Sequence, residues 1–313
     1  MGIGGGQASS VLPDASGRTG ARMKERRLII NADGYGFTAG VNRGIEEAVE
    51  RGVVTSISVN SNFDTVRPLK EFIQRHPRIS VGVHLNPVVG CPIADPKDVP
   101  TLVNERGEFH FESFTEKLQN GHISLEEMML ELGLQIERVQ KLVPVVTHID
   151  SHQNRHLWPR FFKVFLALGR RYGIERMRTH AHRICMEYPR RLAMTAAFYL
   201  THPQRLATHG FARYLMRRAR RQGMRMCDRM LSVGTWGQKG RKATLEAWLQ
   251  VARACPPGNN EIFCHPAYVD DELRRWAKMI VDQREKEREV LADPRLREEF
   301  ERNGVRLISF YDI

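Results

Sequence analysis

Two stretches of the chain concentrate side chains able to do acid–base or metal chemistry. The first is THIDSHQNRH, Thr147 to His156, with His148, His152 and His156 at four-residue intervals around one carboxylate, Asp150. Alternate side chains of an extended chain share a face. A strand reaching His152 would therefore present His148, Asp150 and His152 together. Imidazole beside carboxylate suits Zn, Mn, Fe or Ni, and Mg where oxygen ligands dominate. The second stretch is NADGYG, where Asp33 reads as a general base, a ligand, or a cap on the following turn. His84 in GVHLN and His265 in FCHPAY each read singly as structural histidines. Jointly they offer a second nitrogen ligand and a general acid for hydrolysis.

The elements that must position these residues follow from pattern. RRLIINAD (Arg26 to Asp33), VVTSISVN (Val53 to Asn60), ISVGVHLN (Ile79 to Asn86), VVTHID (Val145 to Asp150), EIFCHP (Glu261 to Pro266) and VRLISF (Val305 to Phe310) read as buried strands. Arg176 to Thr179 adds a short one. Helical spacing marks Val41 to Arg51, Val66 to Arg75, Leu125 to Leu142, Trp158 to Tyr172, Thr244 to Ala254 and Glu272 to Leu291. Val88 to Phe114, rich in Pro and Gly, reads as irregular. Strands alternating with helices imply a parallel sheet with right-handed crossovers. The expected fold class is α/β, an incomplete TIM-like (β/α) barrel. Asp33, His84 and Asn86, the Thr147–His156 stretch and His265 all fall at strand C-termini, the end where such barrels build their sites.

Charge narrows the class further. The 313 residues carry a formal +12. Between Arg155 and Cys255, 22 Lys and Arg face four acids, a net of +18 that leaves −6 for everything else. The segment of about 186–232 is expected to be a basic helical insertion, densest from Arg213 to Arg229 and preceded by the apolar LAMTAAFYL. A solvated arginine-rich helix, a membrane surface and an anionic lipid headgroup all fit it. Nucleic acid is not expected, since no zinc-finger, RNA-binding or basic-zipper pattern accompanies the arginines. Five cysteines without C-x-x-C spacing argue against a zinc framework or disulfides and for a reducing, cytoplasmic setting. No apolar run approaches the ~18 to 20 residues of a bilayer span. Residues 1–25 are Gly/Ser-rich at the start and expected to be a disordered leader, with Met23 as an alternative start. The fold is assigned to 26–313 as one domain.

In order, the chain carries N-A-D-G-Y-G (Asn31 to Gly36), V-N-x-G-I (Val41 to Ile45), G-V-V-T-S (Gly52 to Ser56) and G-V-H-L-N (Gly82 to Asn86). T-H-I-D-S-H-Q (Thr147 to Gln153), C-H-P (Cys264 to Pro266) and R-x-x-E-x-x-x-L (Arg284 to Leu291) follow. This series resembles the YdjC-like carbohydrate deacetylases, which include chitooligosaccharide deacetylase and hopanoid-associated members. The resemblance covers most of the chain from Arg27 onward.

The resemblance implies metal-dependent removal of acetyl from an N-acetylated sugar. By position His84 and His152 match the family's histidine ligands, and Asp33 matches the first Asp of N-A-D-D-[FY]-G, the base. His265 matches the C-terminal histidine, and Arg284 and Glu287 match a pair expected to be structural. The expected site is therefore Asp33 and His265 for catalysis, with His84, His152 and Asp33 on a divalent metal, Mg, Zn or another. Asn86, Asp150, His156 and Arg178 count as substrate-binding candidates. Two positions depart from the pattern: Gly34 stands where the family has a second Asp, and Asn154 where it has a histidine of D-S-H-x-H. The basic segment adds a second expectation, a phosphate- or polyprenyl-phosphate-linked substrate met at the inner membrane surface through Arg213–Arg229. The competing reading is a catalytically weakened barrel that binds a sugar or anionic lipid. A third keeps the metal but cleaves an ester or phosphate.

Overall fold

The structure is a computed structural model that describes residues 1, 25–185, 190–232, 244–277 and 281–313. The expected leader lies almost wholly outside these residues, as does the 186–189 start of the basic segment. The described strands are β1 (Arg26–Tyr35), β2 (Ser56–Val59), β3 (Ser80–Leu85), β4 (His148–Ser151), β5 (His182–Ile184), β6 (Arg229–Ser232), β7 (Gly258–Cys264) and β8 (Val305–Leu307). They form one sheet in the order β4-β3-β2-β1-β7-β6-β5, and every described pairing is parallel. The sheet curls until its edges meet. Ile149 of β4 bridges Met177 and Arg176 bridges Arg225, which leads into β6. The result is an incomplete (β/α) barrel, seven strands around with a thin seam between β4 and β5.

β1 is the axis of this arrangement. Its residues from Leu28 to Tyr35 are all buried, which suits a strand covered on both faces. One edge pairs with β7 along Arg26 to Ala32. The other edge is shared: β8 takes Arg26 to Leu28, and β2 takes Asn31 to Tyr35.

Helices wrap the outside in the order α1 (Ala39–Glu50), α2 (Leu69–Arg75), α3 (Phe114–Gln119), α4 (Leu125–Gln140), α5 (Pro159–Arg171), α6 (Arg190–Thr201), α7 (Pro203–Arg221), α8 (Leu245–Ala254), α9 (Asp271–Trp276), α10 (Gln283–Leu291) and α11 (Pro294–Arg302). Their starts are chemically marked. Thr38, Ser124, Thr244 and Asp270 cap α1, α4, α8 and α9 through side-chain oxygens, and α5 and α7 open on proline. No described helix is long and apolar enough to cross a membrane.

Three expectations change. The helix expected over Glu272 to Leu291 is α9 and α10, with 278–280 between them outside the described residues. Arg176 to Thr179 contributes only single bridges, and the strand proper is β5, which begins three residues after Thr179. The basic segment is also not purely helical. It ends in β6, and α6 and α7 are the crossover from β5 to β6, a place where a βαβ unit requires helix.

The barrel interior is polar, and that requires backbone economy at one position. A Cβ on Gly82 would fall 2.4 Å from His148 Nε2, because the imidazole lies flat over the glycine. Phe310 stacks on that ring, 3.7 Å between centroids. Gly82→Ala should therefore lower stability by about 1–3 kcal/mol through overpacking, read as a shift of the urea midpoint at unchanged slope. An unchanged midpoint would show that His148 is free to move aside.

Candidate active site

Strand register assembles the site. Asp33 pairs with Ser58, and His84 pairs with Asp150, so the C-terminal ends of β1, β2, β3 and β4 bring their polar side chains to one level inside the barrel. Arg178 joins them from the stretch before β5. It is 1% exposed and faces three buried carboxylates. Nη1 donates to Asp33 Oδ2 at 2.7 Å and Nη2 to Asp33 Oδ1 at 2.5 Å. Nη2 also lies 2.6 Å from Asp150 Oδ2, and Nε donates to Glu261 Oε1 at 3.1 Å. The two-pronged grip on Asp33 is the bidentate geometry in which guanidinium is strongest.

Smaller hydrogen bonds complete the network. Asn31 Nδ2 donates to Asp33 Oδ1 (2.8 Å) and to Ser58 Oγ (2.9 Å), and Ser58 Oγ donates to Asp150 Oδ2 (3.0 Å). His84 Nδ1 donates to Asp150 Oδ1 at 2.7 Å. Because a carboxylate only accepts, this bond places a proton on Nδ1, so that the tautomer carrying a lone pair carries it on Nε2.

Burial alone would raise the pKa of Asp150. Arg178, and then His84, outweigh it and hold the carboxyl well below its usual range. Glu261 is the counterexample, since burial dominates the help from Arg178 and pushes it up to about 7. Burial, with His84 and Arg284 nearby, holds His152 well below the usual imidazole value and thus neutral.

Above this network opens a cavity of about 150 Å³. Asp33, His84, His152, His265, Asn60 and Arg284 supply its polar wall, and Phe37, Phe111, Phe263 and Trp276 its aromatic one. His84 and His152 stand edge to face, 5.5 Å between centroids. His265 Nε2 lies 3.9 Å from Asp33 Oδ2. The backbone N–H of His265 donates to Glu287 Oε2 at 2.9 Å, so α10 fixes the end of β7. Gln153 and Asn154, which also line the cavity, hold φ of 54° and 55°. Two consecutive left-handed residues other than glycine store strain of about 1–3 kcal/mol each. They turn the chain just after His152, which follows extended Ser151 into the cavity wall.

The expected residues thus separate into groups. Asp33, His84, His152 and His265 meet in the cavity. Asp150 and Arg178, expected on the substrate, lie in the layer beneath, their polar atoms taken by the network. Asn86 builds a turn instead: Oδ1 accepts from Val88 and Val89 N–H, and Nδ2 donates to Asn62 Oδ1 and Val89 O. His156 is fully buried, bonded to Ser151 Oγ (2.7 Å) and His180 Nε2 (3.1 Å) and stacked on Phe165. The left-handed turn at Gln153 and Asn154 sends it to the core side. Glu261, Ser58 and the aromatic wall were not anticipated. A lone acid in the apolar run EIFC was the one signal for Glu261.

The donor set fits a divalent metal. Ligand atoms of Asp33, His84 and Asp150 lie within 4.8 Å of one another, a buried cluster able to hold an ion. Within it, Asp150 already orients His84 through Nδ1, the usual job of a carboxylate behind a metal-binding imidazole. That leaves His84 Nε2, neutral His152 and Asp33 facing the cavity. Two nitrogens to one oxygen lean toward Zn-type ions over Mg. Gly34 supplies no carboxylate. Its φ of 106° suits glycine, although a Cβ would meet nothing closer than Val41 Cγ1 at 3.7 Å.

A parallel α/β barrel with a histidine–aspartate pocket at its strand C-termini defines the class of barrel hydrolases in which loops and strand ends carry the chemistry. Residues 27–302 match the YdjC-like protein family, and the chain belongs to that family. A carbohydrate deacetylase from Halalkalibacterium halodurans is 31% identical, covering 87% of this chain and 98% of its own. One from Geobacillus stearothermophilus is 32% identical over 91% and 97%. A chitooligosaccharide deacetylase from Escherichia fergusonii is 27% identical over 92% and 100%. Among solved structures, an Enterococcus faecalis protein proposed to act in cellobiose-phosphate cleavage superposes with a TM-score of 0.72 at 28% identity, covering 92% of this chain and 98% of that one.

Two outcomes test the buried network. Arg178→Leu strands three carboxylates and should cost about 3–5 kcal/mol in denaturant unfolding; a smaller loss than 1 kcal/mol would remove Arg178 as the keystone. Glu261 has its folded pKa raised to about 7 from an ordinary value of 4.5. Its stabilisation is therefore full below pH 4.5 and lost as pH rises through 7. The melting temperature of Glu261→Gln minus that of wild type should rise between those pH values, and a flat difference would show that Glu261 titrates normally.

Proposed function

We propose that this protein is a metal-dependent carbohydrate deacetylase that hydrolyses the acetamide of an N-acetylated sugar. The observation that carries the reading is the meeting of Asp33, His84, His152 and His265 in one aromatic-walled cavity at the strand ends. The family relatives named carbohydrate deacetylases support the same reaction class.

The side chains divide the work. Aromatic rings offer apolar faces on which a sugar ring can rest. Asp33, oriented by the two-pronged grip of Arg178, takes the proton of the attacking water. Asp33 lines the cavity, whereas Asp150 is fully buried beneath it and does not reach the lining, so Asp150 is unsuited to that task. His265, 3.9 Å from Asp33, gives a proton to the departing sugar amine, and acetate leaves. Asp150 keeps His84 in the tautomer that offers Nε2. A divalent ion held by His84 and His152, with Asp33 beside it, would polarise the acetamide carbonyl and acidify water.

The substrate is read as phosphate- or lipid-linked, met by a peripheral, cytoplasmic enzyme at the inner membrane surface. Arg213–Arg229, running from α7 to the first residue of β6, supports this, as does the phosphorylated sugar in the name of the Enterococcus relative. A binding protein without turnover is the second reading, favoured by Gly34 and Asn154, which line the cavity where the family pattern has an Asp and a His.

Protein reconstituted with Zn or Mg should release acetate from at least one of free, nucleotide-linked and lipid-linked N-acetyl sugars. His152→Ala should lose both the bound metal and the acetate release, at least 100-fold in kcat/KM. Wild-type turnover in that variant would sink the site assignment. Bound metal with no acetate from any substrate would favour the binding reading.

A further inference from the structure

A second cavity, about 550 Å³, lies between β5, β6 and the α6–α7 pair. That size falls in the range of small-molecule sites. Four arginines line it, Arg183, Arg191, Arg213 and Arg229, drawn from β5, α6, α7 and β6. None is ion-paired to a carboxylate among the described residues. Asp228, the one acid in the lining, accepts from Asn259 N at 3.1 Å and so is committed to the start of β7. The cations press on one another: burial, then Arg191 and Arg229, pull the pKa of Arg183 down. His209 adds no charge, since burial, Arg205 and Arg213 bring it to about 4. An anion bound among these guanidinium groups would relieve that crowding.

The other wall is apolar. Ile184, Leu192, Phe198 and Leu206 line it. Leu192 and Leu206 are 54% and 60% exposed, and Leu200 at the end of α6 is 82% exposed. Large aliphatic side chains left this open beside a ring of guanidinium groups mark a surface built for a mixed ligand. Guanidinium matches phosphate in charge and in fork geometry.

We propose that the cavity between β5, β6, α6 and α7 binds an anionic amphiphile, a phosphate monoester in the arginine ring with its alkyl chain along Leu192, Phe198 and Leu206. It locates the phosphate- or lipid-linked reading on particular residues and rests on that reading for its role in catalysis. Its test is binding alone, so its failure leaves deacetylation untouched.

Titration calorimetry on the full chain, below micelle concentration, should compare dodecyl phosphate, inorganic phosphate and dodecyl maltoside. Dodecyl phosphate should bind at least 10-fold more tightly than either. Equal affinity for inorganic phosphate would overturn the amphiphile, and equal affinity for the maltoside would overturn the phosphate. Arg183→Gln with Arg213→Gln should weaken dodecyl phosphate at least 10-fold, whereas Arg217→Gln with Arg218→Gln, outside the lining, should not. Should the first pair unfold the protein, Leu192→Glu puts a repelling charge at an exposed lining position and should give the same loss. Wild-type binding by Leu192→Glu would refute the site.

Discussion

One guanidinium organises the interior of this barrel. Arg178 is buried among Asp33 of β1, Asp150 of β4 and Glu261 of β7, and so ties the neighbours β1 and β7 to β4 at the edge of the sheet. A buried ion pair adds little stability relative to a well-packed apolar core, but removing one partner is severe. The interior has therefore committed itself: once three carboxylates face inward, a fixed cation among them is obligatory. Arg178 also sits in the thin seam, where its backbone N–H donates to Ile149 O at 3.4 Å and only isolated bridges join the sheet edges. The charge network draws together edges that the backbone ladder barely joins. The same contacts hold Asp33 and, through Asp150, the ring of His84. Fold closure and catalytic geometry thus share one set of contacts.

Legibility in the sequence follows the same physics. β1, β3, β4 and β7 were evident because a strand buried on both faces must be an apolar run, and the polar residues closing each run were evident as site residues. β5 and β6 escaped notice because HRI and RMLS are short and carry arginines, which in this structure line a cavity instead of facing bulk water. Asn86 and His156 misled for a different reason. Asn86 itself opens the turn after β3, and the turn at Gln153 and Asn154 separates His156 from β4; a turn destroys the period-two phase from which a facing is inferred. His152 was placed in the cavity by extending β4 by one residue. It stands there at the end of that extended run, directly after Ser151, and the left-handed backbone begins only at Gln153.

The charge distribution takes on a different meaning in three dimensions. The +18 segment contains the seam and the strands β5 and β6 with the crossover between them, so it is woven into the sheet. One of its arginines neutralises the acidic interior, and four others face a separate cavity. Net charge along the chain therefore conflates an internal counterion with a recognition surface. The two differ in how water reaches them: salt screens the second and hardly touches the first.

The shared edge of β1 has a kinetic consequence. β1 is among the first described elements, yet its ladder partners β7 and β8 come at the far end of the chain; Arg27 and Asn259, which bond across β1 and β7, are 232 positions apart. Non-local pairing of this kind slows folding, because a long loop must close before any contact rewards it. During synthesis the central strand can find β2 early but must wait for its other partners. In that interval its apolar edge, from Leu28 to Ala32, is open to any passing strand. The chain is thereby expected to depend on chaperones during synthesis more than its finished, well-buried barrel would suggest.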